Sequence, residues 1–256
     1  MRQAGGMTTA DRWTQTVRRQ LGLGRFLPLG GPRDGAWIAE RAAESVLRRA
    51  VAREVPGVRL DAVRIALADP EGVSEPVVPP PPSAPAPGPL RLTAEFAATA
   101  SASEPLPGTA GRLRAALAQA AQERIGLTVA EVDLRVTDLL EGAPEPQPSG
   151  GAAPDDTEEE SEEFQAAAPA DSDESRVAAA ALAVPGVSRL TGTLGRPVHL
   201  TEQPGTATAL PHRHARVDLA VRADHRPLEV ARAVRMAVSE ALPDHPTVAV
   251  LVTRLD

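Results

Sequence analysis

The sequence predicts an α+β fold, as two small two-layer α-β-β-α-β domains joined by a disordered acidic linker. Two observations predict it. Val-Pro-Gly-Val occurs twice, at 55–58 and at 184–187, each time after an Ala-rich stretch and before a strand-like run. Residues 141–175 hold 12 acidic residues and no Arg, with Phe164 as the only large apolar side chain. Such a segment cannot bury enough apolar surface to offset the entropy of ordering it. The organisation expected is a head over 1–35, a first domain over 36–140 with a Pro-rich insertion at 72–90, the linker over 141–175 and a second domain over 176–256.

The first unit opens with WIAERAAESVLRRAVARE. Ile38, Ala42, Val46, Leu47 and Ala50 share one helical face, opposite Glu40, Arg41, Glu44 and Arg48. Asp34 is the expected N-cap, and Pro56-Gly57 ends the helix. RLDAVRIAL then alternates at Val63, Ile65 and Leu67 as a half-buried strand. VVPPPPSAPAPGP is polyproline-like, either a stiff spacer in a long loop or a PxxP ligand for an SH3-like partner. After it, Leu92, Ala94, Phe96 and Ala98 alternate as a second strand. Gly111 to Arg124 predicts a helix with Leu113, Ala116, Leu117, Ala120 and Ala121 inward and Gly126 at its C-terminal cap. VAEVDLRVTDLL closes the unit, with Val132, Leu134 and Val136 on one face and Asp133 and Arg135 on the other.

The second unit repeats this order. SRVAAAALAVPGV is a helix and the same turn. Val198 and Leu200 fall in a short strand, and Val217, Leu219 and Val221 share one face of the next. PLEVARAVRMAVSEAL is a helix, with Pro227 in its first turn where the missing N–H costs nothing. Val230, Ala231, Val234, Val238 and Ala241 face inward; Glu229, Arg232 and Arg235 face outward. The last strands align without gaps: Val132, Val136, Thr137 and Leu139 match Val248, Val252, Thr253 and Leu255, an offset of 116 against 129 for the two Val-Pro-Gly-Val turns. The Pro-rich loop accounts for the difference. A small sheet with helices on one face leaves its other side, or an open strand edge, for a partner or for the sister unit.

With these residues in place, the stretch ARVDLAVRADHRPLEVARAVRMAVSEALPDHPTVAVLVTRL resembles the C-terminal half of the alkaline shock protein family, envelope stress response proteins of Gram-positive bacteria. The likeness lies in a V-x-L-x-V strand, a P-L-E-V-A-x-x-V helix start and a final V-x-V-x-V strand. It covers 176–256 well and 36–140 more loosely, where LPGTAG replaces the P-L-E-V start. The resemblance implies a non-catalytic scaffold with no cofactor. It further implies partners that are related small-domain proteins or a membrane-anchored protein, self-association, and a cytoplasmic place peripheral to the inner face of the membrane.

Composition bounds the chemistry. The 256 residues include no Cys, and all 27 basic residues are Arg. Disulfides, thiolate metal sites, Schiff-base lysines and a P-loop lysine are therefore excluded. With abundant Ala, Gly and Pro, the Arg bias suggests a G- and C-rich bacterial genome. No apolar run reaches the roughly 20 residues of a membrane span, and MRQAGGMTTADRW lacks the apolar core of a secretory signal. Met1 and Met7 both stand as candidate starts. The net charge of -7 comes from the linker; the two units are slightly basic, so nucleic acid is not the expected partner. An RNA- or DNA-associated module using the Arg-rich helix faces is the alternative.

All five histidines lie in the second unit. His212 and His214 would share a strand face with Asp218, Asp224 or Asp244 as oxygen donors, but solvated histidines at strand ends are the favoured reading and no metal site is expected. Gly108-Thr109-Ala110-Gly111 has the GxxG form of a KH loop, against a simple helix start. No nucleophile elbow or dinucleotide fingerprint occurs, so no catalytic residues are assigned and the chain is read as not an enzyme. The candidate partner contacts are Leu23, Phe26 and Leu27 of the apolar head and Glu229, Arg232 and Arg235 of the outer helix face. For the head, packing against its own first unit is the competing reading. For the charges, it is a solvated surface.

Overall fold

The computed structural model describes residues 22–99, 105–140, 172–193, 195–203 and 212–256. Its elements are β1 (Phe26–Leu29), β2 (Ala36–Ala39), α1 (Glu40–Glu54), β3 (Val58–Leu67), β4 (Leu90–Thr99), α2 (Leu106–Gln119, continued by a π turn over Ala120–Ile125), β5 (Val129–Leu140), α3 (Asp173–Leu182), β6 (Val187–Leu190), β7 (Val198–Gln203), β8 (His212–Val221), α4 (Pro227–Ala241) and β9 (Thr247–Leu255). The fold is α+β.

One sheet has the order β3-β4-β5, with β3–β4 antiparallel and β4–β5 parallel. The other runs β1-β2-β9-β8-β6, with β7 also on β8. There β6 and β7 lie antiparallel to β8, and β9 lies parallel to it. The two sheets share a register. Ala94 pairs with Leu134 and Phe96 with Val136; Val217 pairs with Val250 and Leu219 with Val252. One step further, each last strand slips by one residue, which leaves Thr137 and Thr253 as the extra residues of matching bulges. Gly126 caps the π turn in the left-handed region at φ 100°.

The head behaves differently from the expectation. Ala36–Ala39 is strand rather than the start of a helix: Trp37 and Ile38 are both fully buried although they project to opposite sides. The helix begins at Glu40, with Ala39 at the N-cap position and no side-chain cap. Asp34, the expected cap, is engaged elsewhere. The β1–β2 hairpin joins the C-terminal strand: Ala36, Trp37 and Ile38 pair in parallel with Val250, Leu251 and Val252. Residues of both units and of the hairpin belong to one connected apolar core. Arg226 Nη2 donates to the Gln122 carbonyl (2.8 Å) and Gly30 N–H to the Gly126 carbonyl (3.0 Å), so polar contacts also join the two halves.

Helical periodicity delivers the expected inner faces. Ala42, Leu47 and Ala50 of α1, Leu113, Ala116 and Leu117 of α2 and Val230, Ala231, Val234 and Val238 of α4 are buried, each large aliphatic contributing about 1.5–3 kcal/mol. Val46 and Ala241, also expected inward, are only half-buried.

The structure places three further segments. Gly108 and Gly111 lie inside α2, whose chain enters at Pro105, so the GxxG segment is helix and not a phosphate-clamping loop. The Pro-rich segment is fastened to the body: Val78 is buried, Trp37 Nε1 donates to the Pro85 carbonyl at 3.0 Å and Val77 N–H to the Pro32 carbonyl at 3.1 Å. Ser172–Ser175, assigned to the linker, instead begin α3, where the Ser172 hydroxyl accepts from Ser175 N–H (3.2 Å) as an N-cap. The rest of that linker, 141–171, and head residues 1–21 lie outside the described residues.

Candidate interaction site

The six candidate contact residues divide sharply. Phe26 and Leu27 are 5% and 3% exposed within β1, and Leu23 packs on the core beside them. The apolar head therefore covers its own chain. It does so largely by extending the C-terminal sheet, not by packing against the first unit alone.

Of the α4 charges, Arg232 and Arg235 hold that hairpin in place. Arg235 Nη1 donates to the Arg33 and Asp34 carbonyls, both at 2.7 Å, and its Nε to the Val248 carbonyl at 2.9 Å. Arg232 Nε stands 2.8 Å from Asp34 Oδ1, and Gly31 N–H donates to Asp34 Oδ2 at 2.7 Å. Burial opposes ionisation of Asp34. The Arg232 hydrogen bond, the Gly31 N–H and the charges of Arg232 and Arg235 outweigh it and hold its carboxyl below the usual value. Burial pushes the Arg235 guanidinium down. Glu229 is solvent-facing and bonds Arg226 and Arg232 on its own helix. This clamp was not legible from periodicity, because the turn it grips lies about 200 residues earlier in the chain.

The histidine constellation does not assemble into a ligand set. Asp244 is held by Arg213 at 2.6 Å, Asp224 by His225 at 2.8 Å and Asp218 by Arg216 at 3.2 Å. His214 is buried and bonds the Thr247 hydroxyl at 2.9 Å. Burial, aided by the nearby His212 and Arg216, lowers its pKa to about 4. Among the described residues, no group of three or more His, Cys, Asp or Glu could hold a metal ion. An open groove of about 520 Å³ lies beside β1 and the Pro-rich loop, lined by Phe26, Leu27, Ile65, Leu67 and Pro85 with Arg25 at hand. Arg25 is already bound to Glu40 (3.2 Å) and to the Ile65 carbonyl (3.0 Å).

Among the described residues, one strand edge with unmet pairing capacity is that of β5. Its counterpart β9 is enclosed: Val248 to Val252 are at most 2% exposed on both alternating faces, and β2 covers the edge. Among the described residues, β5 ends its sheet with β4 on one side only. Toward its C-terminal end the core-side residues emerge, with Val136 39% and Leu139 55% exposed. The opposite face carries Glu131, Asp133 and Arg135, with Arg91 bridging to Glu131 at 2.6 Å. The Val132 carbonyl accepts from a side chain, Arg114 Nε, at 3.2 Å. A strand edge offers directional N–H and C=O groups, so what this site can do is pair with another strand.

Among the described residues no helix is long and apolar enough to cross a membrane. Compared with known proteins, the chain matches no family model and no curated protein.

Proposed function

We propose that this chain is a non-catalytic scaffold of two alkaline-shock-like α-β-β-α-β units, binding partner proteins at the cytoplasmic face of the membrane. The observation that carries the reading is the pairing of like units with unlike edges. The two sheets match in strand register and in the bulges at Thr137 and Thr253, while β9 has its edge closed by β2 and β5 does not. A duplicated unit whose first copy keeps an uncovered edge is suited to binding rather than chemistry. The membrane-face placement rests on the family resemblance of residues 176–256. Contact by Phe26 and Leu27 is not part of the proposal, since both serve the core; the β5 edge takes their place.

The nucleic-acid alternative draws less support. Several Arg side chains of the helices and strands are engaged with carboxylates: Arg48 with Glu44, Arg91 with Glu131, Arg124 with Glu54, Arg213 with Asp244 and Arg232 with Asp34.

The test is recovery of the tagged chain from its native cells with and without nuclease, beside a Val136→Asp/Leu139→Asp variant. Nuclease-resistant recovery of a membrane-anchored protein, lost in the variant, is the expected result. Nuclease-sensitive recovery of ribosomal or nucleoid proteins would sink the scaffold reading.

A further inference from the structure

We propose that the β5 edge pairs with the β5 edge of a second copy of this chain, antiparallel about a two-fold axis at Leu134. Between its two register slips β5 runs regularly from Glu131 to Val136. That stretch is self-complementary when reversed on Leu134. Asp133 then faces Arg135 of the second copy, twice, and Val132 faces Val136, twice, with Leu134 opposite itself. Opposite charges and β-branched pairs set directly across strands are the stabilising combinations.

Neighbouring registers are worse. Moving the axis to Asp133 or to Arg135 sets a like charge against itself, and a shift by an odd number of residues would put the wet face of one sheet beside the core face of the other. The two charged side chains are available, at 61% and 78% exposed, with only 3.7 Å ion pairs to Arg91 and Glu95 on their own sheet. The pairing would also extend the apolar strip at Val132, Leu134 and Val136 across the two-fold axis, as β2 does at Val250 to Val252 in the other unit. The Arg114 contact to the Val132 carbonyl would give way to the second strand. An isologous contact of this kind closes as a dimer and does not propagate.

The test is sedimentation equilibrium of the full chain up to about 100 μM, with Asp133→Arg, Arg135→Asp and the double variant. A reversible dimer is expected. Each single reversal sets like charges across two symmetry-related pairs and weakens it by about tenfold or more. The double variant restores the opposite pairing and should return the dimer close to its original strength. Any clash with Arg91 or Glu95 persists in the double variant, so restoration reports the contact between copies. Hydrogen exchange over 131–137 should slow as dimer forms. A chain that stays monomeric, a dimer indifferent to the single reversals, or a double variant that fails to recover each overturns the inference. It rests on the same uncovered edge as the scaffold reading, with a second copy as its occupant: a monomer that still recovers its membrane-anchored partner overturns the one and leaves the other standing.

Discussion

Gly57 and Gly186 make the same hydrogen bond in different surroundings. The Gly57 carbonyl accepts from Thr99 N–H at 2.9 Å and the Gly186 carbonyl from Arg222 N–H at 2.8 Å, each time at the end of the neighbouring strand. Both residues are left-handed, at φ 86° and 95°. A Cβ on Gly57 would meet Thr99 at ordinary contact distance, Oγ1 at 3.6 Å and Cβ at 3.8 Å, whereas one on Gly186 would lie 2.6 Å from His225 Cδ2 and 2.7 Å from Val230 Cγ2. Gly57→Ala should therefore cost about 1–2 kcal/mol for the backbone alone. Gly186→Ala should cost about 1–3 kcal/mol more through overpacking. Urea denaturation of the two variants checks the order; equal losses would refute the packing account.

Arg235 donates to three carbonyls, of Arg33, Asp34 and Val248. Arg235→Ala leaves the Arg33, Asp34 and Val248 acceptors without their charged donor, and a loss of about 1–3 kcal/mol is expected. The β1–β2 hairpin should loosen first. Hydrogen exchange should rise over 26–39 and along Val250–Val252 before it rises over β3 and β4. A uniform rise across all strands would show that the hairpin has no separate stability.

Asp34 gives that clamp an acid limit. Its folded pKa is depressed, so its contribution is full above the usual carboxylate range and is lost as pH falls through the folded value. Asp34→Asn removes this dependence. The difference in stability between wild type and variant should shrink steadily as the pH falls below about 4.

His214 adds a second acid sensitivity with its own window. The folded pKa of about 4 lies below the unfolded value near 6.5. Between those values the unfolded chain binds the extra proton, so stability falls as pH drops through this range, by about 3 kcal/mol in all. His214→Gln should flatten the profile between about pH 6.5 and 4. An unchanged slope would place the sensitivity elsewhere.

Trp37 couples the hairpin to the Pro-rich loop. Trp37→Phe keeps most of the packing and removes the hydrogen bond to Pro85, at about 1 kcal/mol. It should also speed proteolysis within 68–89, while Trp37→Ala should cost about 3–5 kcal/mol. Cleavage at an unchanged rate in Trp37→Phe would mean that Val78 and the backbone bonds hold the loop without it.

Much of this protein follows from local pattern. Periods of two and 3.6 marked β3, β4, α1, α2 and α4, because a half-buried element must place its apolar side chains on one side. The two Val-Pro-Gly-Val turns required glycine, because both backbones enter the left-handed region. The contrast between β5 and β9 was also written in the residues: VAEVDLRV alternates, as a strand with one wet face does, while the unbroken run Val248–Val252 belongs to a strand buried on both faces.

Long-range choices were not written there. AWIA is four residues long, short enough to extend a helix or form a strand, and it is strand because β9 offered an edge and buried pockets for Trp37 and Ile38. Arg232 and Arg235 look like a solvated helix face until the turn at Arg33–Asp34 arrives beside them. The edge of β5 became a binding candidate only once β2 had gone to β9. Side-chain periodicity records which face of an element is dry; it carries no record of which distant segment makes it so, since that depends on contacts closed across some 200 residues.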